Sequence, residues 1–141
     1  MSKMKRRLVS LTLVAAMFFV MAIPASARAS DYITSATIVT NSLGNGKISM
    51  AINIVATGKM QEIGATQVIV NEKGADGKYK PVYTFTKEKT KSLISSNRTS
   101  YMFTLTYQGT AGKDYYITAQ CYAKNASGSG TTWAGSKTVH A

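Results

Sequence analysis

From residue 47 the chain alternates with a period of two: Ile48, Met50, Ile52 and Ile54 are separated by Ser49, Ala51 and Asn53, with Val55 next in line. Successive side chains of an extended backbone point to opposite faces, so these four large apolar groups share one face and need a second layer to cover them. The pattern returns at Tyr101, Phe103, Leu105 and Tyr107. It returns again at Tyr115, Ile117, Ala119, Cys121 and Ala123, which alternate with Tyr116, Thr118, Gln120, Tyr122 and Lys124. No window carries the 3.6-residue repeat of an amphipathic helix, so the chain is expected to be all-β.

Glycine-containing turns divide it. Asn45-Gly46 suits positive φ, and Asp76-Gly77 is the clearest hairpin signal. Residues 125–130, Asn-Ala-Ser-Gly-Ser-Gly, form a further hairpin loop. Strands are expected at 33–40, 47–56, 65–72, 79–86, 101–107, 114–124 and 131–139. About seven short strands at this spacing predict a single antiparallel β-sandwich. Pro81 cannot donate to a ladder, which places 79–86 at an edge. Lys78, Lys80, Lys87, Lys89 and Lys91 would guard that edge against pairing with other chains. The polar residues 87–99 read as the longest irregular connection.

The N-terminus has a different character. Lys3, Lys5, Arg6 and Arg7 precede an apolar stretch over 8–23, then Pro24 and small residues, the order of a signal peptide. Two cleavage sites compete, Ala25-Ser26-Ala27 and Ala27-Arg28-Ala29. Cleavage between Ala29 and Ser30 leaves the mature chain starting just before the first strand. The expectation is a signal-peptide helix within residues 1–29 and one β-sandwich domain over 30–141, secreted, with no membrane span once the signal is removed. Five of the seventeen basic residues fall within 1–29 and all six acidic ones beyond it, so the net charge drops from +11 to +6. Cys121 is the only cysteine, which excludes an intrachain disulfide and leaves stability to the core.

Gly112-Lys113-Asp114-Tyr115, between two strands, resembles the corner at which fibronectin type III and immunoglobulin-like domains lock a tyrosine across the sandwich. That resemblance makes Tyr115 the corner tyrosine. Three segments, Met60-Gln61-Glu62-Ile63-Gly64-Ala65, the hairpin around Tyr79, and Tyr107-Gln108-Gly109-Thr110-Ala111-Gly112-Lys113, are similar to a group of small uncharacterised secreted proteins of Gram-positive bacteria. This likeness implies export and a β-sandwich, and no activity.

Catalytic chemistry finds little support. His140, the only histidine, lies one residue from the last, where a frayed chain cannot hold a base in place. Cys121 falls on an apolar strand face, where a thiol is an inert small hydrophobe. Asp31, Glu62, Glu72, Asp76, Glu88 and Asp114 are scattered singly, without the spacing of a calcium loop. Gly109-Thr110-Ala111-Gly112-Lys113 lacks the spacing of a phosphate-cradling loop. The expectation is therefore a protein that is not an enzyme and has no cofactor or metal.

Two roles fit what remains. If the strand of Tyr115 pairs with that of Val68, then Ile69, Tyr116 and Tyr122 point outward together, as contacts for an unknown protein or glycan. Tyrosines also suit strands with no function attached. The alternative is a basic envelope-associated structural protein, held by charge at Lys78, Lys80, Lys87, Lys89 and Lys91 to an anionic cell-wall polymer. Nucleic acid is not an expected partner of an exported chain, and a monomer is expected.

Overall fold

The computed structural model describes residues 31–141, so the expected signal helix and the Ala29–Ser30 junction lie outside the described residues. Seven strands follow: β1 (Ile33–Gly44), β2 (Lys47–Lys73), β3 (Tyr79–Thr86), β4 (Ile94–Gln108), β5 (Asp114–Asn125), β6 (Gly128–Gly135) and β7 (Val139–His140). One 3₁₀ turn, Lys91–Leu93, precedes β4. Every ladder is antiparallel. Among the described residues no helix is long and apolar enough to cross a membrane.

The expected all-β, antiparallel architecture is present with seven strands, although the expected strand 131–139 is divided into β6 and β7 by residues 136–138, and the two stacked sheets of an immunoglobulin-like sandwich are not. All seven strands belong to one sheet, ordered β1-β2-β5-β6, with β3 and β4 on β2 and β7 on β5, curled into a half-barrel. The cause is β2, a single strand of 27 residues where two strands and a loop are expected. Residues 57–64 do not form a loop because the backbone is bonded at both ends of the stretch. Thr57 donates its N–H to the Tyr32 carbonyl at 3.1 Å, and Met60, Glu62, Ile63 and Gly64 pair with Arg98, Ser96, Ser95 and Ile94. The irregular connection correspondingly shrinks to residues 87–93, since 94–99 belong to β4.

A register shift between Val55 and Met60 divides β2 into two halves. The first lies between β1 and β4, and the second between β5 on one side and β3 with the start of β4 on the other. The core fills the concave surface between these halves. Ile48, Met50, Ile52 and Ile54 come from the first half, Ile63, Val68 and Val70 from the second, and Ile117, Ala119 and Cys121 from β5; all are fully buried. Alternation in β2, β4 and β5 is thus used as the sequence implies, on the inside of one bent sheet.

Gly64 marks the tightest point. It pairs with Ile94 on one side and Tyr122 on the other, and a side chain there would collide with the Leu93 carbonyl. Tyr115 pins the far end of the second half. Its ring is fully buried, and its hydroxyl accepts the Thr110 N–H at 2.8 Å and donates to Glu72 Oε2 at 2.8 Å. The end of the chain is tied down rather than frayed. Val139 and His140 pair with Tyr115 and Asp114, and the Gly112 N–H reaches the Ala141 carbonyl at 2.6 Å.

Gly64→Ala should cost about 3 kcal/mol or more, because the clash is with backbone held in two ladders. Gly58→Ala, with nothing within 4 Å of the added carbon, should stay within about 0.5 kcal/mol of the wild type in urea unfolding. Tyr115→Phe should destabilise by about 1–2 kcal/mol, since it strands both the Thr110 N–H and the Glu72 carboxylate. Tyr116→Phe, on the outer face, should be nearly silent in the same measurement.

Candidate functional site

The convex face of the second half is built by β3, β2, β5 and β6. Pairing of Val68 with Ala119 and of Glu72 with Tyr115 sets its register, as expected from the sequence. Ile69 then stands opposite Thr118, Asn71 opposite Tyr116, and Gly64 opposite Tyr122. Ile69, Tyr116 and Tyr122 share this face, each half-buried by its neighbours.

Two aromatics that sequence reasoning missed join them. Tyr79 packs edge-on against Tyr116, ring centroids 4.8 Å apart at 81°. Trp133 stands opposite Gln120, with 54% of its surface exposed. The signal for Trp133 was the register of the hairpin after Asn125: counting back from the Asn125–Gly128 pair places Trp133 beside Gln120, on the outward side.

Between the aromatics runs a strip of amides and hydroxyls. Gln120 Oε1 accepts from Thr66 Oγ1 at 3.0 Å and from Gln67 Nε2 at 3.1 Å. Asn71, only 6% exposed, donates Nδ2 to the Tyr116 carbonyl at 3.3 Å. These bonds hold planar polar groups at fixed orientations, and the half-buried Thr66, Gln67 and Gln120 keep part of their polar surface in water whereas Asn71 does not. At the Tyr122 end the face becomes charged. The Tyr122 hydroxyl donates to Glu62 Oε2 at 3.3 Å, and Lys87 Nζ lies 5.9 Å from the ring centroid. Burial, and then the Glu62 carboxylate, push the Tyr122 phenol above its ordinary value. Beyond the end of β5 lies a cleft of about 340 Å³ lined by Lys59, Gln61, Asn97, Asn125 and Ser127 among others.

The five lysines are exposed and do not form one patch. Lys78 and Lys80 lie at one end of β3, and Lys87, Lys89 and Lys91 beyond the other. Lys80 and Lys87 are roughly 23 Å apart at about 3.3 Å per strand residue, well beyond the ~8 Å over which exposed charges act at physiological salt. Edge position is as expected: β3 pairs with β2 alone.

Cys121 is fully buried, and burial pushes its thiol up to about 12. His140 Nδ1 lies 2.6 Å from Asp114 Oδ1 at the exposed end of β7. Among the described residues no three of the histidine, cysteine and carboxylate side chains gather into a group that could hold a metal ion.

The sequence matches no protein-family model and no curated protein. Among solved structures it is similar to Northeast Structural Genomics Consortium target SoR45, at 19% identity over 79% of this chain and 87% of that one, with a TM-score of 0.45. It is also similar to a superoxide reductase (neelaredoxin) from Ignicoccus hospitalis, at 11% identity over 78% of this chain and 89% of that one, with a TM-score of 0.32. The expectation that the chain is not an enzyme does not stand, since an enzyme is among the structures it matches. At these scores neither structure assigns an activity.

Because Cys121 is buried and its thiolate strongly disfavoured, alkylation of the folded protein at neutral pH should be slower than that of the urea-unfolded chain by a factor of about a hundred or more. Comparable rates in the two states would place the thiol outside the core.

Proposed function

We propose that the protein is an exported binding module that holds a glycan chain on the convex face of β3, β2, β5 and β6. The observation that carries this reading is the arrangement of Tyr79, Tyr116 and Trp133 around the bonded strip of Thr66, Gln67 and Gln120. Sugar rings present apolar C–H faces and a rim of hydroxyls, and this face offers flat aromatic surface with amides that both donate and accept. From Tyr116 to Tyr122 the face runs about 20 Å along β5, room for several sugar rings. The leader-like residues 1–29 and the likeness to small secreted proteins of Gram-positive bacteria support an extracellular setting.

The alternative, retention by charge on an anionic cell-wall polymer, is weakened by the division of the lysines between two ends of β3. It retains the support of the chain's net positive charge.

Trp133 is the only tryptophan in the chain, so its fluorescence reports on this face directly. Titration with fragments of peptidoglycan glycan strands, chitin and xylan should shift and intensify the emission for one of them, with little change between low and physiological salt. Tyr116→Ala or Trp133→Ala should weaken binding about tenfold each, equivalent to about 1.4 kcal/mol, and the exposed Trp133→Ala should do so while changing unfolding stability by no more than about 0.5 kcal/mol. Binding that vanishes with salt, and with replacement of the five lysines by glutamine, would favour the charge-held reading. No response to any glycan would leave this face without the assigned role.

A further inference from the structure

The concave side of the half-barrel is closed along one flank only. There β1 lies against β6: the Tyr32 ring rests on Gly128 and Gly130, and Thr40 Oγ1 donates to the Lys137 carbonyl at 3.4 Å. Along the other flank β3 and β4 each pair with β2 alone, and among the described residues no backbone bond joins them. Tyr83 and Phe85 stand opposite Val70 and Val68, which are fully buried, so both rings are directed to the inner face. Yet Tyr83 is 48% exposed. An inward aromatic that is half in water marks a gap. Its floor is a run of rings: Phe85 to Tyr83 at 4.8 Å, Tyr83 to Tyr107 at 5.7 Å, and Tyr107 to the buried Tyr115 at 6.0 Å.

We propose that this gap receives an extended acidic peptide from another protein, added as a strand along the free edge of β4 with alternate apolar side chains on Tyr83, Phe85 and Tyr107. Two independent features select that occupant. The first is the unguarded backbone of β4. Its ladder with β2 runs without a shift from the Lys47–Gln108 pair to the Val55–Ser100 pair, and residues 100–108 contain neither charge nor proline. A regular, uncharged, unpaired edge is a template for a further strand. The second is charge. Across the gap, residues 78–91 hold Lys78, Lys80, Lys87, Lys89 and Lys91 against Glu88 alone. Those lysines oppose a second copy of this chain, whose own lysines would be brought alongside, and favour a strand flanked by carboxylates. This surface is the concave one, separate from the convex face assigned above, and the inference does not rest on the glycan reading.

The test uses a synthetic peptide of alternating Val and Phe with Thr between them and Asp and Glu at both ends. Two controls accompany it: one with Lys in place of the acids, and one N-methylated at alternate residues so that its edge cannot pair. Amide exchange of ¹⁵N-labelled protein is followed by NMR. The acidic peptide should slow exchange at alternate residues between Tyr101 and Gln108 and shift the Tyr83 and Tyr107 resonances, whereas both controls should bind at least about tenfold more weakly. Tyr83→Ser should weaken the acidic peptide about tenfold while leaving the residual binding of the lysine control unchanged, in a chain that still unfolds cooperatively in urea. Equal binding of the lysine peptide, undiminished binding of the N-methylated one, or no slowing in β4 at millimolar peptide would overturn the proposal. So would a concentration-dependent dimer that buries β4 in the absence of peptide.

Discussion

Everything in this fold depends on one uninterrupted strand. β2 supplies an edge to β1, β3, β4 and β5, so four other strands take their register from its backbone. That continuity requires residues 57–64 to find partners while the sheet bends, and the bend is possible because Gly64 presents no side chain to the Leu93 carbonyl. A sheet bent this far covers its own apolar face. The described residues therefore build a core without a second sheet, an α-helix or a disulfide.

The same bend separates two surfaces of opposite character. The convex face keeps its polar groups in contact with one another and leaves aromatic edges to water, whereas the concave face hides its aromatics except where β3 and β4 fail to meet. Charge follows a third distribution, gathered in the segments flanking β3 and missing from residues 100–108. A ligand for either surface would meet stacking and hydrogen bonding first, and net charge only at the ends.

The strands themselves could be read from alternation, and the two hairpin turns from chemistry: Asn45 and Gly46 take φ of 56° and 81°, and Gly77 takes 80°. The inward placement of Tyr115 and Cys121, and the shared outward face of Ile69, Tyr116 and Tyr122, also followed from a period of two. What could not be read was how strands combine. Thr57, Gly58 and Lys59 look like a connection because they are polar or lack a large apolar side chain, and only the bonds on either side of them, from Thr57 to Tyr32 and from Met60 to Arg98 in β4, carry the strand through. Period-two patterns carry no information on whether two strands are one, so a bent sheet and a sandwich have the same local signature. Trp133 was lost for a related reason: its side is set by a hairpin register, not by its own neighbours. His140 was misjudged because nearness to the end of a sequence does not reveal a backbone partner in β5.

The dependence on β2 also bears on how fast the chain can fold. Its hairpins with β1 and β3 close over short turns, but the pairs Lys47–Gln108 and Glu62–Lys124 join positions about sixty residues apart. Such contacts yield nothing until long loops have closed, and β proteins dominated by them fold in milliseconds to seconds rather than microseconds. Neither half of β2 has its full set of neighbours until the others arrive, so closure is concerted and the chain stays open until it happens. Until then the apolar faces of β2, β4 and β5 stay in water, so slow closure lengthens the interval in which they can find partners in other chains instead.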